Sequence, residues 1–124
     1  MISTSPSDAS LLAAFRRRVD EVIARGLEEE QRAAESLRTS VLAAIRPAIE
    51  AARAEGLCGK VWLFGSFAWG SPGEWSDVDL LVEGDDAEVG WRVSRVCPRE
   101  VHVLRAKDAP ASLLSRVLAD GVPL

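Results

Sequence analysis

The sequence has few of the residues from which disulfide-bonded or zinc-binding domains are built. It contains two cysteines and one histidine, and Cys58 and Cys97 stand apart, without the paired spacing of a zinc site. Because nothing indicates export, we expect both thiols to be free in a reducing cytoplasm. The apolar run Leu11 to Phe15 is too short for a signal peptide, and no stretch is long enough to span a membrane. These absences predict a cytoplasmic protein that does not act at a membrane.

An excess of positive charge is also lacking. Lysine and arginine total 15 against 19 aspartates and glutamates, so the net charge is −4. Such a balance gives no general attraction for nucleic acid or for an anionic membrane, and nucleic acid is an unlikely partner on this count. With 48% hydrophobic and 27% charged residues, the chain has the composition of an ordinary globular domain.

The most informative stretch runs from Val61 to Val82. It contains an apolar strand (Val61 to Phe64), a glycine-rich turn (Gly65 to Gly73) and a second apolar strand (Val78 to Val82). A glycine directly after a strand lets the backbone bend tightly and brings N–H groups close to an anion, and a serine hydroxyl adds a donor. We therefore expect Gly65-Ser66 to cradle phosphate oxygens.

Two aspartates follow this turn with one residue between them. In a strand, Asp77 and Asp79 project from the same side, so their carboxylates lie close together and repel each other. A cation relieves that repulsion, and Mg²⁺ takes one or two protein carboxylates together with phosphate oxygens and water. A phosphate-binding turn that faces this pair predicts a site for a metal ion and a nucleoside triphosphate.

The arrangement Gly65-Ser66, ten residues, Asp77-Val78-Asp79 resembles the signature of the DNA polymerase β nucleotidyltransferase superfamily, and the short chain resembles its minimal nucleotidyltransferase branch. The resemblance covers roughly residues 41–124, the predicted minimal nucleotidyltransferase domain, and leaves residues 1–40 as an N-terminal helical extension. It implies an α/β nucleotidyltransferase fold with a short mixed β-sheet backed by helices.

The same resemblance implies roles for individual residues. Gly65 and Ser66 would contact the triphosphate, and Asp77 and Asp79 would hold two Mg²⁺ ions that activate a hydroxyl acceptor and neutralise the departing pyrophosphate. The implied reaction is the transfer of a nucleoside monophosphate, AMP from ATP above all, to that hydroxyl.

The third predicted strand, Glu100 to Leu104, departs from the pattern. Relatives usually supply a third acid there, which binds one metal and helps to deprotonate the acceptor, whereas the best register here places His102 at that position. Glu100 lies two residues earlier on the same face. Three alternatives are open: Glu100 takes over the role, His102 acts as a neutral base or ligand, or the function is missing. Imidazole is a poorer Mg²⁺ ligand than carboxylate.

Trp69 is a second departure from the pattern. It stands where relatives often carry a basic residue. The indole can stack on a nucleotide base or pack onto the domain, and packing is the first choice.

The N-terminal segment has the apolar spacing of an amphipathic helix. Four apolar side chains step by three and four residues: Leu12, Phe15, Val19 and Val22. The period weakens near Gly26 and returns toward Val41, so one long helix and two helices with a weak joint both fit. The stripe needs burial against its own domain, a partner protein or a second copy, and its steps suit the seam of a homodimeric helix pair.

Three further helices are predicted. One begins near residue 40 and ends near Glu55, and Pro47 either kinks it or opens a new helix. Residues 85–97 fit a short helix better than a strand, with Asp85 at its start. Asp108 is expected to cap a last helix.

Small domains that resemble this one commonly act as antitoxins that adenylylate a tyrosine on a helical HEPN ribonuclease, so a HEPN-type toxin is the expected partner. The altered third position supports a second hypothesis, a catalytically inactive member of the fold that neutralises a partner through its N-terminal helix. Modification of a small molecule such as an aminoglycoside is a third, weaker alternative, because those enzymes usually carry an additional helical domain for the acceptor.

Overall fold

The computed structural model describes residues 6–124, with side chains from Asp8 onward, so the start of the predicted 1–40 extension lies outside the described residues. The chain divides into two compact units, one that ends at Ala33 and one from Ala34 to Leu124. In chain order the described elements are α1 (Pro6–Ala54), β1 (Cys58–Phe64), α2 (Ser66–Trp69), β2 (Val78–Gly84), α3 (Asp86–Val96), β3 (Val101–Arg105), a 3₁₀ turn (Ala106–Asp108), α4 (Ala111–Asp120) and β4 (Val122–Pro123).

The second unit is built on a mixed four-stranded sheet in the order β3-β2-β1-β4. Strand β1 pairs antiparallel with β2 and with β4, whereas β2 and β3 are parallel. Parallel neighbours need a crossover connection, and α3 supplies it. The predicted α/β class, a short mixed sheet backed by helices, is confirmed.

The core of this unit lies between the sheet and the C-terminal part of α1. Four helical residues spaced by three or four positions are at most 5% exposed: Val41, Ile45, Ile49 and Ala52. They cluster with inward-facing residues of β1 and β2, among them Val61, Leu63, Val78, Leu80 and Val82. Each fully buried aliphatic side chain of this size contributes about 1.5–3 kcal/mol. This packing fixes the ends of β1 and β2, where the predicted site residues lie.

Helix α1 is continuous where the sequence left two interpretations open. It includes Gly26 and Pro47, so the one-helix interpretation is correct and no separate helix begins near residue 40. Pro47 removes one backbone donor. Ile45 and Ile49, on either side of it, are completely buried, and their packing outweighs that loss.

The other helix predictions are partly correct. Helix α3 is confirmed, and the side chain of Asp85 accepts a hydrogen bond from the N–H of Glu88 at 3.1 Å. The predicted cap at Asp108 is wrong, because that residue lies in the 3₁₀ turn and α4 begins at Ala111, after Pro110. Pro110 is the N-cap residue of α4: its carbonyl accepts the first helical hydrogen bond, from the N–H of Leu114 at 2.9 Å, and no side chain caps this helix.

Two further expectations can be compared with the structure. Cys58 and Cys97 are both buried and unpaired, as expected, and burial raises the pKa of the Cys58 thiol. Among the helices of residues 6–124, α1 included, a membrane-spanning apolar segment is absent.

Candidate active site

The turn after β1 is built on Gly65, which has a φ of 75° in the region that favours glycine. A Cβ at this position would overlap the carboxylate of Asp79, so the backbone passes directly against that side chain. Helix α2 begins at the next residue, which corrects the predicted glycine-rich turn at 65–73. Its first hydrogen bonds run to the carbonyl of Gly65 at 3.0 Å. The N–H groups of Ser66 and Phe67 precede those bonds, as the first N–H groups of any helix do.

Arg38 of α1 holds the end of α2. Its Nε donates to the carbonyl of Phe67 at 2.6 Å, and its Nη2 donates to the carbonyl of Gly70 at 3.1 Å. The last carbonyls of a helix have no partner within the helix, so a guanidinium that donates to both satisfies them. Phe67 is completely buried beneath this contact, which anchors α2 to the core.

Arg99 holds the loop that leads to Asp77. Its Nη1 donates to the carbonyls of Gly73, Glu74 and Ser76 at 2.8, 2.9 and 3.1 Å. The same loop is closed by the N–H of Gly73, which donates to Oγ of Ser76 at 2.9 Å. Because the last of these carbonyls belongs to the residue before Asp77, Arg99 fixes the direction in which that aspartate leaves the loop.

Asp79 and His102 lie opposite each other on the parallel strands β2 and β3. The N–H of Val78 donates to the carbonyl of Glu100 at 2.9 Å, which sets this register. His102 Nδ1 lies 3.6 Å from Asp79 Oδ1 and 3.9 Å from Asp77 Oδ2. The two aspartates therefore converge on one imidazole nitrogen, from the same face of the sheet.

The other imidazole nitrogen faces Glu100. His102 Nε2 lies 3.1 Å from Glu100 Oε1, and this hydrogen bond raises the pKa of His102. The negative charges of Glu100, Asp77 and Asp79 raise the pKa of His102 further. Burial raises the pKa of Asp79, and the charge of Asp77 adds to that effect while His102 opposes it. The site is thus three carboxylates around an imidazole that is protonated more readily than a free one.

Some of these side chains have the ligand atoms that a divalent cation requires. Asp77, Glu100 and His102 each offer one ligand atom, and these atoms lie within 4.8 Å of one another. Carboxylate oxygens are the ligands that Mg²⁺ prefers, whereas imidazole suits transition metals such as Zn²⁺ or Fe²⁺. No lysine or arginine of the described residues forms an ion pair with Asp77 or Asp79. Asp77 thus belongs to a possible group of metal ligands with Glu100 and His102, and a protonated His102 is the positive group that competes with a cation for Asp77 and Asp79.

Two tryptophans lie in the segment between β1 and Asp77. The Trp69 ring lies 6.2 Å from that of Phe64, and the guanidinium carbon of Arg116 lies 4.4 Å above it. These contacts agree with the prediction that Trp69 packs onto the domain. They also place the guanidinium of Arg116 from α4 next to position 69, where relatives often carry a basic residue. Trp75, two residues before Asp77, is 88% exposed and is not part of the sheet core.

The structure brings most of the predicted site residues into one cluster. Gly65 lies against Asp79, and Asp77, Asp79 and Glu100 all approach His102. Ser66 is the first residue of α2.

Sequence reasoning missed the two arginines that fix the surrounding backbone. Arg38 lies 29 and 32 residues from the carbonyl groups it binds, and Arg99 lies 23 to 26 residues from its own. No motif marks them, because their partners are carbonyl groups that every residue carries.

One comparison with known proteins gives a match. A family model for the nucleotidyltransferase domain matches residues 45–116, more than half of the chain. The matched span contains the turn at Gly65, both aspartates and all of β3. No curated protein matches the sequence significantly. The family match agrees with the resemblance carried by Gly65-Ser66 and Asp77-Val78-Asp79, and the chain therefore belongs to the nucleotidyltransferase domain family.

Proposed function

We propose that this protein transfers AMP from ATP to the hydroxyl of a partner protein, in a reaction that depends on Mg²⁺. The observation that carries the proposal is the convergence of Asp77 and Asp79 on one face of the sheet, beside the backbone at Gly65. General nucleotidyl transfer follows from the family, and the choice of ATP, metal and acceptor rests on the resemblance to minimal nucleotidyltransferases.

The backbone around Gly65 suits the triphosphate end of the nucleotide. The N–H groups of Ser66 and Phe67 and the hydroxyl of Ser66 are donors on one short segment, and glycine allows close approach. Arg38 fixes this segment from α1. Donors that are already held in place need little reorganisation when the anion arrives, which favours both binding and catalysis.

The carboxylates supply the metal ligands of the proposed reaction. Asp77 and Asp79 would hold Mg²⁺, which when bound neutralises phosphate charge and lowers the pKa of the acceptor hydroxyl. Since Asp79 resists ionisation more than a free aspartate, the pair gains most from a cation that stabilises both negative charges.

The contacts of His102 support a role for it, with Glu100, in taking the proton of the acceptor. When Nε2 carries the hydrogen, Glu100 accepts it at 3.1 Å, and the lone pair of Nδ1 then points toward the aspartates. In this tautomer Nδ1 can accept the proton of the acceptor hydroxyl, and Glu100 stabilises the imidazolium that results. The histidine would thus act as the base that a third carboxylate provides in relatives.

We propose a tyrosine on a helical HEPN-type toxin as the acceptor. The chain itself contains no tyrosine, so a tyrosine that it modifies belongs to another protein. Trp75, exposed and two residues before Asp77 in the chain, would be an aromatic contact for such a partner.

Mass spectrometry of the partner tests the proposal. The protein is incubated with Mg²⁺, labelled ATP and its co-purified partner, and the expected result is an adduct of one nucleotide on the partner. Asp77→Asn and Asp79→Asn should each abolish the adduct. The matched control is Asp120→Asn, which makes the same change at an exposed position at the end of α4, outside the N-terminal helix, and should leave the adduct unchanged.

The contacts of His102 favour a second function, that of a catalytically inactive member which neutralises a bound partner. A protonated His102 already places positive charge between Asp77 and Asp79, where a metal would act. If this function is correct, the partner stays bound and inhibited, without an adduct, and the two aspartate variants inhibit it as well as the wild type does.

A further inference from the structure

The first unit exposes a continuous stripe of apolar side chains. Seven large apolar residues of α1 are between 39% and 68% exposed: Leu11, Leu12, Phe15, Val19, Val22, Ile23 and Leu27. Four of them line a shallow apolar depression of about 190 Å³ together with Arg18. An apolar surface of this extent on one helix face marks a site of interaction.

Charged residues along the same segment form two blocks of opposite sign. Arg16, Arg17 and Arg18 form the basic block, and Glu28, Glu29 and Glu30 form the acidic block. Ile23 is the midpoint between them. When the segment is reversed about this residue, every arginine of the basic block falls on a glutamate of the acidic block, and Glu21 falls on Arg25. The segment is therefore complementary in charge to a reversed copy of itself.

The charges nearest to the stripe are the ones that would meet in such a pair. With about 100° of rotation per residue, Arg16 and Glu30 lie within about 60° of Val19 on one side of the helix. Arg18 and Glu29 lie within about 100° of Val19 on the other side. A twofold axis between antiparallel helices brings the same side of each helix together, so Arg16 lies opposite Glu30. Arg18 lies next to Glu29 rather than its counterpart Glu28, because Glu28 and Arg17 are on the far side of the helix.

We propose that two copies of this chain associate through the first unit, as an antiparallel helix pair centred on Ile23. Residues 13–33 would overlap over about 30 Å. Gly26 lies on the striped face, and nothing lies within 4 Å of a Cβ built there, which leaves room for the second helix. A parallel pair would place arginines beside arginines and glutamates beside glutamates, so charge selects the antiparallel arrangement.

Charge reversal in the whole chain tests whether the chain associates with a second copy of itself and whether the two helices are antiparallel. The all-acidic variant carries Arg16→Glu with Arg18→Glu, and the all-basic variant carries Glu29→Arg with Glu30→Arg. By sedimentation equilibrium, each variant alone should dimerise at least tenfold more weakly than the wild type. An equimolar mixture of the two should recover heterodimer, because every flanking pair is then of opposite sign.

Further variants separate the seam from general effects on the helix. Ile23→Glu brings two carboxylates together at the centre and should give a monomer, with helix content by circular dichroism unchanged. Arg17→Glu changes a charge on the opposite face of the helix and should alter the dimer constant by no more than about twofold.

Three results would overturn the proposal. The first is a wild-type chain that remains monomeric at about 100 µM, well within the range of a weak specific interface. The second is either a dimer that persists in Ile23→Glu or an equimolar mixture of the all-acidic and all-basic variants that forms no heterodimer. The third is a dimer that tightens with added salt, since screening weakens an antiparallel pair and relieves a parallel one.

Discussion

Asp79 Oδ1 lies 3.6 Å from His102 Nδ1, on neighbouring parallel strands whose register places the two residues side by side. The histidine is thus next to the carboxylate that the family resemblance assigns to a metal. A proton on the imidazole and a metal ion on the aspartates compete for the same negative charge. The protonation of one residue therefore bears on both proposed functions, and the chain has only one histidine to follow.

The titration of His102 should show the effect of the neighbouring carboxylates directly. We expect the single histidine to titrate above the ordinary range in the metal-free protein, because the hydrogen bond to Glu100 and the nearby carboxylates raise the pKa of His102. Glu100→Gln should lower the midpoint measured by NMR. Glu83→Gln, an exposed glutamate on β2, is the control and should leave it in place.

The same shift fixes the sign of a pH effect on stability. A histidine whose pKa is raised by folding contributes stability that is fully present below its unfolded pKa and is lost as the pH rises through the folded value. The free energy of unfolding of the wild type relative to His102→Gln should therefore be greatest in mild acid and decline above neutrality. An equal difference at all pH values would contradict the ion pairing described here.

Replacing the histidine by aspartate should change the response to metal. In His102→Asp the introduced carboxylate joins those of Asp77, Asp79 and Glu100, so four carboxylates lie together and the metal-free protein should be less stable than the wild type because like charges repel. Mg²⁺ should raise the melting temperature of this variant more than that of the wild type, because carboxylate is the better ligand. His102→Asn, which adds no charge, should show no such gain, and equal Mg²⁺ responses in both variants would exclude a metal at this position.

The glycine beside Asp79 should tolerate no side chain. Gly65→Ala places a methyl group on the Asp79 carboxylate at a φ of 75°, and the expected loss of unfolding free energy is about 1–3 kcal/mol. Gly73→Ala is the matched control, since it has open space and no positive φ, and should change stability by less than about 0.5 kcal/mol. Chemical denaturation measures the free energy of unfolding of both variants. Equal losses in the two would show that the close approach of Gly65 to Asp79 does not contribute to stability.

The sequence predicted the parts of this site that depend on local patterns. Strands β1 and β2 were visible as apolar runs, and the spacing of Asp77 and Asp79 placed both acids on one face. The family resemblance, carried on to β3, placed His102 at the position of the third acid. Each of these inferences uses residues that are close in the chain or a periodicity of two.

The parts that escaped prediction depend on contacts between distant segments. The continuity of α1 through Pro47 depends on burial against the sheet, which propensity does not report. The start of α4 after Pro110 was misplaced by two residues because Asp108 offered an equally good local cap. Arg38 and Arg99 act on backbone carbonyls, and such partners leave no signal in side-chain spacing.

The clamp formed by Arg99 should matter more for activity than for stability. Arg99→Met removes the donor to three carbonyls of the loop before Asp77. Water replaces most of these bonds because they are largely exposed, so the expected cost in unfolding free energy is only about 1 kcal/mol. The loop would nevertheless lose its fixed path, and a misplaced catalytic carboxylate costs far more in rate than in stability.

Hydrogen exchange and nucleotide transfer together test this separation. Amides of residues 74–77 should exchange faster in Arg99→Met, and adduct formation should fall at least tenfold while the melting temperature shifts little. The control is Arg95→Met, whose guanidinium lies over the exposed Trp91 ring rather than on a backbone segment and should leave exchange in the loop unchanged. If the loop exchanges no faster in Arg99→Met, the three hydrogen bonds do not determine its path, and the position of Asp77 must instead be set by its neighbour on β2.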